Sequence, residues 1–149
     1  MSTRTLTGAC LCGKITYAID LPASEPNPKI AICHCTTCKR YTGSGFSANI
    51  MVPISSLRYT SATKPAVFMD TSTDSGKPLP REICAACGCH FTSTPDGGNA
   101  GVTALKWGTL DDECRAECQE LAGEIYCKRR DEWVGELQRE GLFRAEGMS

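Results

Sequence analysis

The chain has 149 residues, 41% of them hydrophobic and 22% charged, with a formal net charge of −1 and a pI near 6.1. That length supports one core and leaves little room for a second, so a single domain over residues 1–149 is expected. The charge balance excludes an electrostatic footprint for nucleic acid: the tightest basic cluster, Lys128-Arg129-Arg130, is followed at once by Asp131 and Glu132 and reads as a solvated face.

Taken in chain order, the pattern is one of short strands between turns. Residues 1–10 hold no apolar run of the signal-peptide kind, and a first β-like run falls at 5–9. At 14–20, Ile15, Tyr17 and Ile19 alternate with Thr16, Ala18 and Asp20, the period of a half-buried strand. Further runs lie at 29–32, 46–52, 57–60, 66–69, 81–83, 91–94, 101–103 and 123–127. Connections are expected at 21–28, which carries Pro22, Pro26 and Pro28, at 70–80 with Gly76, Pro78 and Pro80, and at 95–99 around Asp96-Gly97-Gly98. Helix is expected in three short pieces: after Cys38, at 111–118, and at 131–138, where Asp131 caps and Trp133 and Leu137 share a face. The fold class is therefore mainly β. The longest uncharged stretch, 41–57, is too rich in Ser, Thr, Gly, Asn and Pro to span a membrane, so a cytoplasmic protein without membrane contact is expected.

Eleven cysteines dominate the chemistry. In a reducing compartment structural disulfides are disfavoured, and an odd count cannot pair completely, so metal binding is the leading explanation. Eight of the eleven fall in groups, Cys10-x-Cys12, Cys33-x-Cys35-x-x-Cys38 and Cys84-x-x-Cys87 with Cys89 behind it, while Cys114, Cys118 and Cys127 are scattered. Close pairs suit tetrahedral zinc, because each pair on a tight turn supplies two thiolates and a second pair closes the site. Gly13 and Gly88 follow the pairs and allow the turns. Cys10, Cys12, Cys84 and Cys87 then make a closed, structural four-thiolate set. Cys33, Cys35 and Cys38 remain as three, and three protein ligands leave zinc an open position for a reactant, the arrangement of a catalytic site. Spacing leaves an alternative, in which Cys89 or His34 closes a second structural site. His34 sits between two ligands in an extended segment and so faces away from them, and His90 reads as a surface or half-buried histidine.

The stretches "GACLCGKITY" from Gly8, "CHCTTCKRYTGSGFSANIMVP" from Cys33, "REICAACGCHF" from Arg81, "GTLDD" from Gly108 and "EIYCKRRDEW" from Glu124 resemble the glutathione-dependent formaldehyde-activating enzyme and centromere protein V family. The resemblance implies a zinc-stapled β-tent of antiparallel sheets with a few short helices. It implies a structural zinc on Cys10, Cys12, Cys84 and Cys87, and a catalytic zinc on Cys33, Cys35 and Cys38. The implied activity is that of a carbon-sulfur lyase joining glutathione, as cosubstrate, to formaldehyde and releasing it again. The sequence departs from that pattern at Cys89, where relatives usually carry a small hydroxyl residue, and at Glu124, where they often carry histidine.

Three thiolates on a divalent zinc leave the site near −1 and well suited to another sulfur. A small-molecule thiol or carbonyl is the expected partner. An anionic thiolate entering that site calls for nearby cations, and Lys39 and Arg40, directly after the last ligand, are the substrate-binding candidates. The segment 41–46 can bring backbone amides to a peptide-like ligand or serve as a plain turn, while Trp107 and Trp133 read as core. Two further functional readings stay open: a zinc enzyme that isomerises, eliminates or cyclises another small carbonyl compound, and a non-catalytic zinc module that binds a protein partner.

Overall fold

Leu6, Tyr17, Ile19 and Leu21 are buried while Thr5 and Thr7 face solvent, which is the alternation that pairs strand β1 (Thr3–Ala9) with strand β2 (Thr16–Pro22). The pairing is antiparallel, with Leu6 opposite Ile19 and Gly8 opposite Tyr17. This is seen in a computed structural model that describes residues 2–137 and 140–147. Strand β5 (Leu57–Tyr59) adds to β2 and completes a three-stranded sheet.

A second sheet has eight strands. In spatial order they are β11 (Phe143–Arg144), β10 (Leu121–Ile125), β3 (Ile30–Cys33), β4 (Ser47–Pro53), β9 (Val102–Lys106), β8 (His90–Ser93), β7 (Leu79–Ile83) and β6 (Ala66–Asp70). The expected antiparallel ladders run from β3 through β6, and two parallel pairings are added to them, β10 against β3 and β10 against β11. The period-two signal at 123–127 marks a strand without marking its direction or its neighbour, so this mixed edge was not legible beforehand.

The two faces of the large sheet have different jobs. Ile30 lies opposite Ile50 and Ile50 opposite Leu105, a row of apolar side chains on the inner face. They join Leu6, Ile15, Tyr17, Ile19, Phe91 and Leu110 in the core, where Tyr17 and Phe91 meet edge to face with ring centroids 5.9 Å apart. Each such side chain, fully buried, stabilises the fold by about 1.5–3 kcal/mol. The neighbouring row, Ala31 opposite Asn49 opposite Lys106, points to the other face, because successive side chains alternate. That polar face is covered as well: the connection at 71–78, Pro95 and Tyr126 close over it.

Arg81 and Asp70 bridge strands β7 and β6 at the end of that face. Arg81 donates to Asp70 Oδ2 from Nε at 3.0 Å and from Nη2 at 2.9 Å, and both side chains are buried. Burial opposes ionisation of Asp70, yet the Ser72 N–H and the Arg81 guanidinium hold its carboxyl below the usual range. A folded-state pKa depressed in this way gives stability that is present above the unfolded carboxylate value near ~3.9 and is lost as pH falls through the folded value. Asp70→Asn leaves a buried guanidinium uncompensated and is expected to cost about 3–5 kcal/mol at pH 7. In denaturant titrations the gap between variant and wild type should close below about pH 4; a gap that is constant with pH would contradict the pairing.

Two short α-helices flank the sheets. Helix α1 (Thr36–Thr42) follows β3, and helix α2 (Asp112–Glu117) occupies most of the segment expected at 111–118. Asp111 makes no side-chain cap to α2; its Oδ2 accepts from the Thr7 hydroxyl at 2.6 Å and ties the helix to β1. The helix expected at 131–138 does not form over 131–137, and Gln138 lies outside the described residues. Asp131 is engaged by the Lys39 ammonium at 2.8 Å, Gly135 weakens the segment, and Trp133 lies against Gly45 outside the core. Trp133 is 73% exposed, which corrects its reading as core, whereas Trp107 is half-buried and donates from Nε1 to the Cys118 carbonyl at 2.8 Å. Among the described residues no helix is long and apolar enough to cross a membrane.

Candidate functional site

Two clusters of thiols stand at the ends of these strands. Cys10 leaves β1 and enters a turn closed by Gly13, whose N–H donates to the Cys10 carbonyl at 3.1 Å and whose φ is 76°. Cys84 leaves β7 into an equivalent turn, with the Gly88 N–H on the Cys84 carbonyl at 2.8 Å and φ 75°. Both glycines occupy the left-handed region that side chains with a Cβ avoid. The turns bring Cys10, Cys12, Cys84 and Cys87 together with all four sulfurs within 4.8 Å of one another. The Cys10 and Cys12 sulfurs are 3.6 Å apart, and those of Cys12 and Cys84 are 3.8 Å apart. Four thiolates about 2.3 Å from a tetrahedral ion lie roughly 3.8 Å from each other, so the donor set fits a metal, and it is far from the ~2.05 Å of a disulfide. Backbone N–H groups of Cys12 and Cys89 draw the Cys87 thiol down to about 6, as a ligand that must ionise requires. The set joins the three-stranded sheet to the eight-stranded one.

The second cluster grows from β3 and α1. Cys33 is the last residue of β3; Cys35 is the N-cap of α1, and its sulfur accepts from the Cys38 N–H at 3.3 Å. One helical turn then places Cys38 beside Cys35, and the sulfurs of Cys33, Cys35 and Cys38 all lie within 4.8 Å of one another, each residue buried. Neither His34 nor Cys89 joins them within that distance. His34 turns away from the cluster: its Nε2 meets Glu124 Oε1 at 2.9 Å, and Glu124 also accepts from Arg130 at 3.1 Å and Arg144 at 3.3 Å. Burial opposes ionisation of Glu124, but His34 and Arg130 hold its carboxyl below the usual range. This buried pair locks the cysteine segment to β10. His90 is half-buried and stacks on Tyr41 at 3.7 Å.

The three thiols open onto a cavity of about 260 Å³. Its floor is the polar face of the large sheet, with Asn49, Met51, Ala104 and Lys106, and Tyr126 forms part of its wall. Tyr126 is held at φ 55°, a left-handed conformation that costs a bulky residue about 1–3 kcal/mol and is typical of sites where position matters more than ease. A hydrogen-bonded chain runs along the floor: the Arg81 Nη1 donates to Ser93 Oγ at 2.8 Å, the Lys106 ammonium to Ser93 Oγ at 3.1 Å and Asn49 Oδ1 at 2.6 Å, and Asn49 Nδ2 to Ser47 Oγ at 2.9 Å. The neighbouring Cys33 and Cys35 thiols, then the Ser47 hydroxyl and the Lys106 ammonium, pull the Cys38 thiol far below its ordinary value, while the same crowding drives Cys33 up. Burial brings Lys106 down to about 8, against the opposing pull of Cys38.

The cations expected from sequence are elsewhere. The Lys39 ammonium pairs with Asp131 and donates to the Arg129 carbonyl, and Arg40 lines a separate open groove of about 710 Å³ with Ser44, His90 and Trp107. Neither lines the three-thiol cavity. Asn49, Ser93, Arg81 and Lys106 do, and sequence reasoning missed them. The only signal they give is alternation: Asn49 and Met51 face opposite to Ile50 and Val52, which by itself reads as a solvent face.

No curated protein sequence matches this chain significantly. A crystal structure of a Rhodobacter sphaeroides protein, solved as a structural-genomics target, is similar in fold with a TM-score of 0.53 at 17% identity, covering 71% of this chain and 88% of that one. The sequence profile of the glutathione-dependent formaldehyde-activating enzymes matches residues 5–129, a span that holds both thiol clusters and the cavity floor. The chain belongs to the glutathione-dependent formaldehyde-activating enzyme family.

Proposed function

We propose that this protein is a zinc-dependent carbon-sulfur lyase acting on glutathione and a small aldehyde, or on their S-hydroxymethyl adduct. The observation that carries the reading is the set of three buried thiols at the wall of a cavity, with no fourth His, Cys, Asp or Glu ligand atom within 4.8 Å of all three among the described residues. Cys33, Cys35 and Cys38 would hold the catalytic zinc; bound there, it supplies Lewis acidity and affinity for a further sulfur or oxygen. Cys10, Cys12, Cys84 and Cys87 would hold a structural zinc, and residues 1–149 work as one domain around the two.

The chain's own residues do the rest. A space of about 260 Å³ is smaller than the usual range for drug-sized ligands, roughly 300–1,000 Å³, so it takes the aldehyde and the thiol end of glutathione. The remainder of the tripeptide lies toward the mouth, where Asp74, Lys77 and Asp96 stand. Ala104, Ile125 and Tyr126 shield the reacting atoms from water, and Asn49 and Ser93 orient the polar end of the cavity.

The test is the rate of exchange between formaldehyde and S-hydroxymethylglutathione at equilibrium, measured by magnetisation transfer with and without the metal-loaded protein. The proposal expects exchange well above the unaided background. Exchange at the background rate with both metals in place would contradict it.

A further inference from the structure

Lys106 is a buried cation with no carboxylate partner among the described residues. It ends β9 on the cavity face, directly across from Asn49, and is 7% exposed. An ammonium carries three N–H donors. Two are committed, to Asn49 Oδ1 at 2.6 Å and to Ser93 Oγ at 3.1 Å. Those two acceptors fix the head group from two sides, and the third donor has no polar acceptor among the described residues.

The other cations of the cavity are compensated. Arg81 is paired with Asp70, and Lys77, at the exposed mouth, with Asp96 at 3.9 Å. Among the described residues no Asp or Glu oxygen lies within 4.0 Å of the Lys106 ammonium, whose side chain borders the same cavity as Cys33, Cys35 and Cys38. Taking an ammonium out of water costs several kcal/mol unless an opposite charge answers it. A reactant that enters as an anion adds negative charge at the same spot, and Lys106 is the cation positioned to meet it.

We propose that Lys106 is a catalytic residue whose ammonium holds the anionic atom of the reactant, first the glutathione thiolate and then the oxygen that becomes negative as carbon and sulfur join. In the joining direction the thiol gives its proton to solvent and the sulfur forms a bond to the aldehyde carbon. The carbon-oxygen π pair moves onto oxygen, and a proton from solvent completes the S-hydroxymethyl product. The ammonium stays charged throughout and supplies the hydrogen bond that strengthens as the oxygen becomes negative. The cleaving direction is the reverse. This inference rests on the lyase reading for its chemistry, while its binding part stands without turnover.

The test uses Lys106→Met, which keeps length and removes charge, in the metal-loaded full chain. Expected are unchanged metal content and melting temperature, a kcat for exchange lowered about 100- to 1,000-fold, and glutathione binding by titration calorimetry weakened at least tenfold, with KM for glutathione rising in step. S-methylglutathione, which cannot present a thiolate, should bind both proteins alike. In the wild-type protein the Lys106 side-chain ammonium resonance should shift on adding glutathione and not on adding S-methylglutathione; this readout serves even if the variant does not fold. Exchange within threefold of wild type, equal weakening of both ligands, or a Lys106 resonance indifferent to glutathione would overturn the proposal. If wild-type protein binds glutathione without accelerating exchange, the lyase reading fails and Lys106 is judged on the two binding readouts alone. If wild-type protein does not bind glutathione, both fall.

Discussion

Cys84→Ser is expected to give a protein that does not accumulate in folded form. Cys84 is fully buried at the end of β7, and its sulfur stands 3.8 Å from that of Cys12, which hangs from the turn after β1. With the proposed zinc bound, the four-thiol set would link the two sheets in addition to their side-chain packing and the chain connection from β4 to β5. A structural zinc site of this kind carries an apparent binding free energy of about 10–16 kcal/mol near pH 7. The whole stability of a domain is about 5–15 kcal/mol, so removing one thiolate takes away as much as the fold has to spare. The measurement is soluble yield and far-ultraviolet circular dichroism of the variant beside wild type. Chelator should reproduce the effect in the wild-type protein. A soluble Cys84→Ser protein with wild-type spectrum and melting would contradict the structural role.

Cys38→Ser is expected to do the opposite: to fold, and to exchange S-hydroxymethylglutathione no faster than buffer. Cys38 belongs to α1 and packs with Cys33, Cys35 and Tyr126 in a small cluster apart from the main core. Its loss breaks one metal-ligand bond at the cavity wall while the core around Tyr17, Phe91 and Leu105 stays whole. Melting should fall by a few degrees, on the order of 1 kcal/mol for a chain of this size. If Cys38→Ser and Cys84→Ser prove equally damaging to the fold, both clusters are structural and the cavity is not a reaction site.

The contrast between these variants was legible in the spacing of the cysteines. Four and three is a count that can be read off the chain, and Gly13 and Gly88 announced the turns that close the four-thiol set. Most strands were legible too, because Ile15, Tyr17 and Ile19, or Ile50 and Val52, alternate with polar neighbours. What alternation conceals is whether the polar side of a strand meets water or a second layer. Asn49, Ser93 and Lys106 are buried, yet each occupies the position that in a one-sided sheet would be wet. The cover that buries them comes from the 71–78 connection and from Tyr126, distant in sequence and without periodicity. The same blindness assigned the site's cations to Lys39 and Arg40 by proximity in sequence. On a helix, residues that follow a ligand are rotated by about 100° each, so neighbours along the chain need not face the same cavity. The absence of the expected helix over 131–137 has a similar cause: Asp131, read as its cap, is used by Lys39 instead.

The central claim is that one thiol cluster is a closed metal site and the other an open one. Metal analysis combined with zinc-edge X-ray absorption, on protein purified without chelator under reducing conditions, tests it most directly. The account predicts two zinc ions per chain with about 3.5 sulfur ligands each on average, seven thiolates shared by two ions, the balance being oxygen or nitrogen. It predicts one zinc with about four sulfurs in Cys38→Ser. A single zinc in the wild-type chain, or two zinc ions each with four sulfur ligands, would contradict it.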